Sequence, residues 1–303
     1  MNSRVLAGIR RLPLPLIAAA ALFAAQAAAH FPEDTVHPLF QFPKDRVPVM
    51  DGDLNDWDML PAEYIFDLEK YTQHKEHTST EHNPADLNII RAAAAWNDEL
   101  NRLYFMAEVY DDVVRFHKED PDSLDHPFTR LTGSYVHGAD IFEIVIDADH
   151  GAEDVVGYSE NEERELRYRS AFTQNYHLYM PPLNGYYWHW YWGKPLWTKD
   201  EAWSAVGWSF PGEHGSAGTV TYECYLTPFD DLHPDGPEQS VLHDLQENAV
   251  IGLAWSFIDA DTSATASDAF WSMTGDVNMY CMGDFLSDFR LMPVDTSLFP
   301  EER

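Results

Sequence analysis

The strongest constraint on this chain is a period of two. In one stretch after another, apolar side chains fall on alternate positions, which puts them on one face of a pleated strand. Leu103, Phe105, Ala107 and Val109 do so within 103–110, and Phe142, Ile144 and Ile146 within 141–147. The same holds for Val220, Tyr222, Cys224 and Leu226 in 219–226, and for Ile251, Leu253, Trp255 and Phe257 in 249–259. Phe285, Ser287, Phe289 and Leu291 repeat the pattern near the end, and 87–96 and 186–192 complete a set of at least seven strands. Helical spacing is confined to 161–170 and 240–248. A parallel α/β fold needs helices between its strands. The prediction is therefore all-β: an antiparallel β-sandwich, jelly-roll or immunoglobulin-like, with few short helices. No Gly-, Ser- or Pro-rich linker divides the chain, so 47–303 reads as a single domain behind an N-terminal extension at 30–46.

Residues 1–29 read as a signal peptide. Arg4, Arg10 and Arg11 precede an apolar run from Leu12 to Ala25, and Ala27-Ala28-Ala29 offers a small-residue cleavage site. The run is too short for a membrane span, so the expectation is a secreted or periplasmic protein without membrane insertion. Charge narrows the partners further. With 19 Lys and Arg against 51 Asp and Glu, the net charge is −32, and removal of the leader makes it more negative. Such a surface repels phosphate backbones and excludes nucleic acid as a partner. It suits divalent cations or neutral ligands. The two cysteines, Cys224 and Cys281, either pair in an oxidising compartment or stay as buried thiols.

The densest chemistry is Tyr186-Tyr187-Trp188-His189-Trp190-Tyr191-Trp192. On a strand Trp188, Trp190 and Trp192 point one way, with Tyr187, His189 and Tyr191 opposite. A sandwich buries one face; the other would offer flat rings to the C–H face of a pyranose. The alternative is that these rings fill core or cover a sheet edge. Asp-rich turns form a second feature. Asp51, Asp53 and Asn55 alternate like a calcium loop, but Asp56 replaces its glycine and Ala62 its bidentate Glu, which leaves a solvated turn. Asp147 and Asp149, with Asp259 and Asp261, supply hard oxygen donors at strand ends and are the predicted calcium ligands. His74, His77 and His82 lie in a polar stretch, 72–83, that reads as a charged loop. No nucleophile elbow, P-loop, zinc-protease or haem-attachment motif occurs, so no organic cofactor is expected.

Four stretches, in this order, resemble the family 9 carbohydrate-binding modules within the wider DOMON-like sandwich group. They are Val49-Met50-Asp51-Gly52-Asp53-Leu54-Asn55-Asp56-Trp57, then Leu103 through Asp112, then Gly138 through Asp147, and a closing part from Tyr222 through Asp259-Ala260-Asp261 to Trp271 and Leu291. The resemblance implies a sugar-binding sandwich, often bearing calcium and usually attached to a glycan-degrading enzyme, with Trp271 matching a ligand-stacking tryptophan. The resulting expectation is a non-catalytic protein that recognises a polysaccharide or oligosaccharide by aromatic stacking, in support of glycan breakdown. Glycan-degrading enzymes are its expected partners. Two readings compete with it. One is a haem-binding electron-transfer domain of the DOMON-like group, and the other a glycoside hydrolase.

Overall fold

Among the described residues strands form where the alternation predicts them, and their pairing builds two layers. The computed structural model describes residues 35–75, 78–80, 82–116, 139–151, 172–179, 196–233, 235–262, 267–280 and 283–299. The signal peptide, 161–170, 186–192 and Cys281 lie outside them. The strands are β1 (Val36–Gln41), β2 (Thr72–Lys75), β3 (Thr78–Thr80), β4 (Leu87–Asn97), β5 (Arg102–Asp111), β6 (Ile141–Asp147) and β7 (Gln174–Leu178). They continue with β8 (Ser204–Ser209), β9 (Gly218–Leu226), β10 (Phe229–Asp231), β11 (Val241–Leu242), β12 (Val250–Asp259), β13 (Ala269–Ser272) and β14 (Ser287–Leu291). Helical structure among the described residues is limited to short 3-10 turns, and no helix there is long and apolar enough to cross a membrane.

The first layer is organised by β12. Its residues 250–253 pair with β14 and 256–259 with β13. Along its other edge runs β6, which pairs in turn with β7. The second layer runs β4-β5-β9-β8, antiparallel throughout. Strand β1 joins the two. Its first four residues pair with β14 and its last two, Phe40 and Gln41, with β4, both parallel. The sandwich is thus antiparallel except where one strand crosses from layer to layer.

The alternating faces meet in one core. Phe142 stacks on Phe257 at 5.0 Å and 7°, and reaches Tyr222 of the opposite layer at 5.7 Å. Trp255 packs edge-on against Phe66 at 5.0 Å and donates from its indole N–H to the Tyr71 hydroxyl at 2.5 Å. Cys224 is a buried free thiol in this core.

A second apolar cluster covers the outer face of the second layer. Phe40, Phe42, Leu54, Trp57 and Leu60 pack there on Ala93, Ala95, Tyr104 and Met106. This explains why residues 92–96 and 103–107 are buried at every position and not at alternate ones. The covering segment is latched by Glu223, itself fully buried. Its carboxylate accepts from the backbone N–H groups of Gly52 (2.7 Å) and Asp51 (3.1 Å) and from the Trp57 indole (3.0 Å). Gly52 sits at φ +86°, with its α-carbon against the Trp208 backbone. The Asp51–Asn55 carboxylates accept from neighbouring N–H groups within the turn, as a solvated turn requires.

Two local expectations are corrected. Residues 72–83 are not simply a loop: β2 and β3 form an antiparallel hairpin there, and β2 continues the first layer beyond β13. Residues 240–248 are not helical; β11 pairs with β10, and irregular chain ending in a turn at Asn248 follows. Pro237 and Gly236, at φ +151°, end the preceding chain in a turn, and the apolar Val241-Leu242 pair is drawn into a ladder.

Candidate functional site

Alternation that sends Phe142, Ile144, Trp255, Phe257, Tyr176 and Leu178 into the core sends their neighbours to the opposite face of the first layer. Those neighbours include Glu143, Ser256, Asn175 and His177. The register aligns Ser256 with Glu143 and Glu143 with His177, so three adjacent strands bring these polar groups together. The Glu143 carboxylate accepts from Ser256 Oγ at 2.6 Å, Asn175 Nδ2 at 2.8 Å and His177 Nε2 at 3.0 Å. Asn175 Nδ2 also donates to the Tyr280 carbonyl at 3.0 Å. All four side chains are buried. Burial works to raise the Glu143 pKa, but hydrogen bonds from His177, Ser256 and Asn175 outweigh it and hold the carboxyl below its ordinary range. The ladder partner of Ser256 is Ser272, whose hydroxyl lies 3.0 Å from that of Thr274 and extends the polar band. Asn175 Oδ1, an acceptor of this set, is buried without a hydrogen-bond partner. A carboxylate, an amide and an imidazole fixed on a rigid sheet can read hydroxyl groups.

At one rim of the sandwich, between the two layers, lies a candidate metal centre. Asp140 precedes β6, Asp259 ends β12, Asp261 follows it, Asp111 ends β5 and Asp86 precedes β4. Antiparallel pairing of Ile141 with Ile258, and of Leu87 with Asp111, brings these ends together. Three sets of carboxylate oxygens lie within 4.8 Å of one another: Asp86, Asp259 and Asp261; Asp111, Asp112 and Asp261; Asp111, Asp140 and Asp259. Asp259 is 1% exposed and neither of its oxygens has a hydrogen-bond partner; Asp261 Oδ1 is likewise buried and unpartnered. Burial, then the Asp111 and Asp261 carboxylates, push Asp259 up to about 9. Burial and the Asp111 charge push Asp261 up to about 7, and the same two causes raise Asp140 well above its ordinary value. Backbone amides orient the set: Arg115 N and Ala260 N donate to Asp140 at 2.5 and 3.1 Å. Asp268 closes the following loop by accepting from Asp261 N at 2.7 Å and Thr262 N at 2.8 Å. An all-oxygen, strongly anionic donor set with orphaned buried oxygens fits a hard divalent cation such as calcium.

The structure brings together two of the four predicted calcium ligands. Asp259 and Asp261 belong to the rim, but Asp147 lies at the other end of β6, paired with Gly252, roughly 20 Å along the strand. Asp149 is exposed in the turn beyond, accepting from Gly151 N at 3.0 Å. The antiparallel register separates them: where β12 ends, β6 begins. Asp86, Asp111, Asp112 and Asp140, each at or beside a strand end, are the carboxylates that lie near Asp259 and Asp261.

Trp271 is fully buried. Its pairing with Phe257 puts it on the core face of β13, with His82 at 5.7 Å, and its indole N–H has no acceptor. It presents no ring face to solvent. Tyr187, Trp188, Trp190 and Trp192 lie outside the described residues. Of the later tryptophans, Trp197 and Trp203 pack edge to face at 5.3 Å over Phe229, and Trp208 on β8 is 36% exposed. Glu143, Asn175 and His177 were missed from sequence, although a Glu inside the apolar run 141–147 is itself a signal.

Comparison with solved structures places this architecture. The chain is similar to a carbohydrate-binding module of family 9 from Caldicellulosiruptor kristjanssonii in complex with cellotriose. The TM-score is 0.52 at 15% sequence identity, covering 88% of this chain and 99% of that one. It is similar in the same degree to such a module from that organism in complex with glucose, covering 86% of this chain and 98% of the other. No protein-family model matches the chain, and no curated protein does. The β-sandwich fold is therefore that of family 9 carbohydrate-binding modules.

Proposed function

We propose that this chain is an exported, non-catalytic carbohydrate-binding protein that holds an oligosaccharide or polysaccharide against the outer face of the first layer. The observation behind this reading is the buried polar set of Glu143, Asn175, His177 and Ser256, with the orphaned Asn175 Oδ1. Burying a carboxylate costs several kcal/mol unless hydrogen bonds offset it, and an apolar residue would serve a merely structural sheet better. These groups are buried, with the Tyr280 carbonyl against Asn175, so a sugar reaches them only when the covering chain at Tyr280 is displaced; its hydroxyls, each both donor and acceptor, would then satisfy Asn175 Oδ1 and the remaining lone pairs of Glu143. The structural neighbours hold cellotriose and glucose, which favours a pyranose ligand. The aromatic run that follows β7 would add stacking surface through Tyr187, Trp188, Trp190 and Trp192. Glu143 held ionised by three donors is poorly suited to act as a general acid, which favours binding over hydrolysis. Calcium at the acidic rim would fix the strand ends beside this face: Asp140 is three residues from Glu143, roughly 10 Å along β6. Glycan-degrading enzymes are the natural partners of such a module.

The test is retention of the mature protein on a panel of immobilised glycans. Glu143→Gln and Trp188→Ala/Trp190→Ala should each weaken retention at least tenfold while far-UV circular dichroism stays native. Undiminished retention in both, or a panel with no hit from folded protein, would overturn the assignment.

A further inference from the structure

Asn175 is held in a state that a static cover does not satisfy. Its amide nitrogen has two hydrogens, and both go to acceptors: Glu143 Oε1 at 2.8 Å and the Tyr280 carbonyl at 3.0 Å. Two acceptors around Nδ2 fix which way the amide points. Oδ1 is therefore the end left without a hydrogen-bond partner, in a side chain only 6% exposed. A carbonyl can only accept, so the Tyr280 carbonyl covers Asn175 without completing it. Adjacent sugar hydroxyls can do both tasks, one accepting from Nδ2 and the next donating to Oδ1. The chain that carries Tyr280 lies on the sheet without being part of it. Residues 275–280 follow β13 and contain the 3-10 turn Val277–Tyr280; among the described residues no backbone hydrogen bond joins them to a strand. Their base is knotted. Ser272 Oγ and Thr274 Oγ1 both donate to the Asp276 carbonyl, at 3.1 and 3.3 Å, and Asn278 N donates to Asp276 Oδ1 at 2.7 Å. Gly275, at φ +77°, turns the chain at this base. Beyond the knot Met279 is fully buried and Tyr280 meets Asn175.

We propose that 275–280 is a strap over the polar set, with Asn175 as its latch, and that sugar binding opens it. This rests on the carbohydrate reading above and names how that site is controlled. The knot at Ser272, Thr274 and Asp276 stays in place while 277–280 swings away. Closed, the strap keeps water from Glu143 and takes the second hydrogen of Asn175. Open, Glu143, Asn175 and His177 meet the ligand from strands β6 and β7, which do not move. Because the sugar takes the open form alone, its apparent Kd is the intrinsic value divided by the open fraction. Loosening the strap must then tighten binding. Loosening a fixed wall of a binding site does the opposite, so the sign of the effect separates a strap from a static cover.

Hydrogen exchange of the mature protein, read by mass spectrometry, comes first because it needs no ligand. Amides of 277–280 should exchange at least about a hundredfold faster than those of β12. Cellotriose (or the oligosaccharide form of whichever glycan the panel retains) should speed them further while slowing exchange in β6 and β7. Met279→Ala deletes the buried apolar hold of the strap and no polar group. With native circular dichroism, it should bind the same sugar at least about threefold tighter by isothermal titration calorimetry. Asn175→Ala should speed exchange at 277–280 yet weaken binding, since it removes latch and ligand contact together. Exchange at 277–280 as slow as in β12, or Met279→Ala binding no tighter than the parent, would overturn the strap and leave the carbohydrate reading standing. No sugar bound by either protein, on the panel or in solution, would overturn both. Should Met279→Ala fail to fold, the parent decides: sugar that speeds exchange at 277–280 supports the strap, and sugar that slows it refutes the strap.

Discussion

Replacing Asp259 by Asn should stabilise the metal-free protein, although it alters a fully buried side chain at the heart of the rim. With no cation present, the Asp259 carboxyl is held up to about 9, by burial first and then by Asp111 and Asp261. Its ordinary value is 3.8. A carboxyl raised in the folded state keeps its proton there while the unfolded chain releases it. Its contribution is therefore present in full below about pH 4 and is lost as pH rises towards 9. The loss is about 1.4 kcal/mol per pH unit, so at pH 7 Asp259 alone costs about 4 kcal/mol. Asp261 adds less, since it is only partly buried and water screens it. Asn is nearly isosteric, carries no charge, and its N–H groups find carboxylate acceptors in Asp86, Asp111 and Asp140. In EDTA at pH 7 the variant should melt about 10 °C above the parent, at roughly 2–4 °C per kcal/mol for a chain of this size. At pH 4 the two should melt together. Calcium should narrow the gap at pH 7, because only the parent gains binding energy: about 2.7 kcal/mol at a hundredfold excess over Kd leaves the variant ahead, and about 4.1 kcal/mol at a thousandfold excess brings the two level. Thermal melts followed by circular dichroism at pH 4, 5.5 and 7, with EDTA and with calcium, give all of these comparisons. A variant less stable than the parent in EDTA at pH 7 would refute the claim that burial and its acidic neighbours keep Asp259 protonated at a cost to the fold.

The latch and the core make two further predictions. Glu223→Ala orphans two backbone N–H groups and the Trp57 indole N–H; the two buried ones, Gly52 N–H and the indole, should cost about 2–6 kcal/mol at 1–3 kcal/mol per buried group; urea unfolding followed by tryptophan fluorescence reports it, and a cost below about 1 kcal/mol would mean that the covering segment is not held there. Trp255→Phe and Trp271→Phe make a matched pair. The first leaves the Tyr71 hydroxyl without its donor, whereas the second deletes an N–H that has no acceptor. Trp255→Phe should therefore be the more destabilising by at least about 1 kcal/mol in the same assay, and equal costs would remove the distinction.

The parts of this fold that were legible in the sequence are those written locally. Strands β5, β6, β9 and β12 were readable because alternation needs only neighbours, and their observed bounds differ from the expected ones by a residue at most. Burial on both faces of β4 and β5 was not readable as such. It depends on 42–60 folding over the sheet, and that depends on Glu223, more than 160 residues away in sequence from the groups it holds. The 72–83 stretch looked like a loop because its polar, His-bearing sequence gives no amphipathic signal; pairing with β13 supplies what local propensity does not.

The candidate site illustrates the same division. Alternation identified Phe142, Ile144, Trp255 and Phe257 as core, and by the same parity Glu143 and Ser256 must face the other way. A charged residue in a strand that is apolar on both sides was the available signal for the polar face. The rim is harder, because four strand ends converge there and only register decides which ends meet. Asp147 and Asp259 both close strands, so in sequence they look equivalent. In an antiparallel pair, however, the end of one strand faces the beginning of the other. An acid that closes β12 can therefore meet only acids that open β6, which selects Asp140 and excludes Asp147. Pairing of β4 with β5 imposes the same condition on Asp86 and Asp111. Acids at the start of one strand and the end of its antiparallel neighbour form the pattern a sandwich can gather at one rim, and it becomes readable once pairing is known.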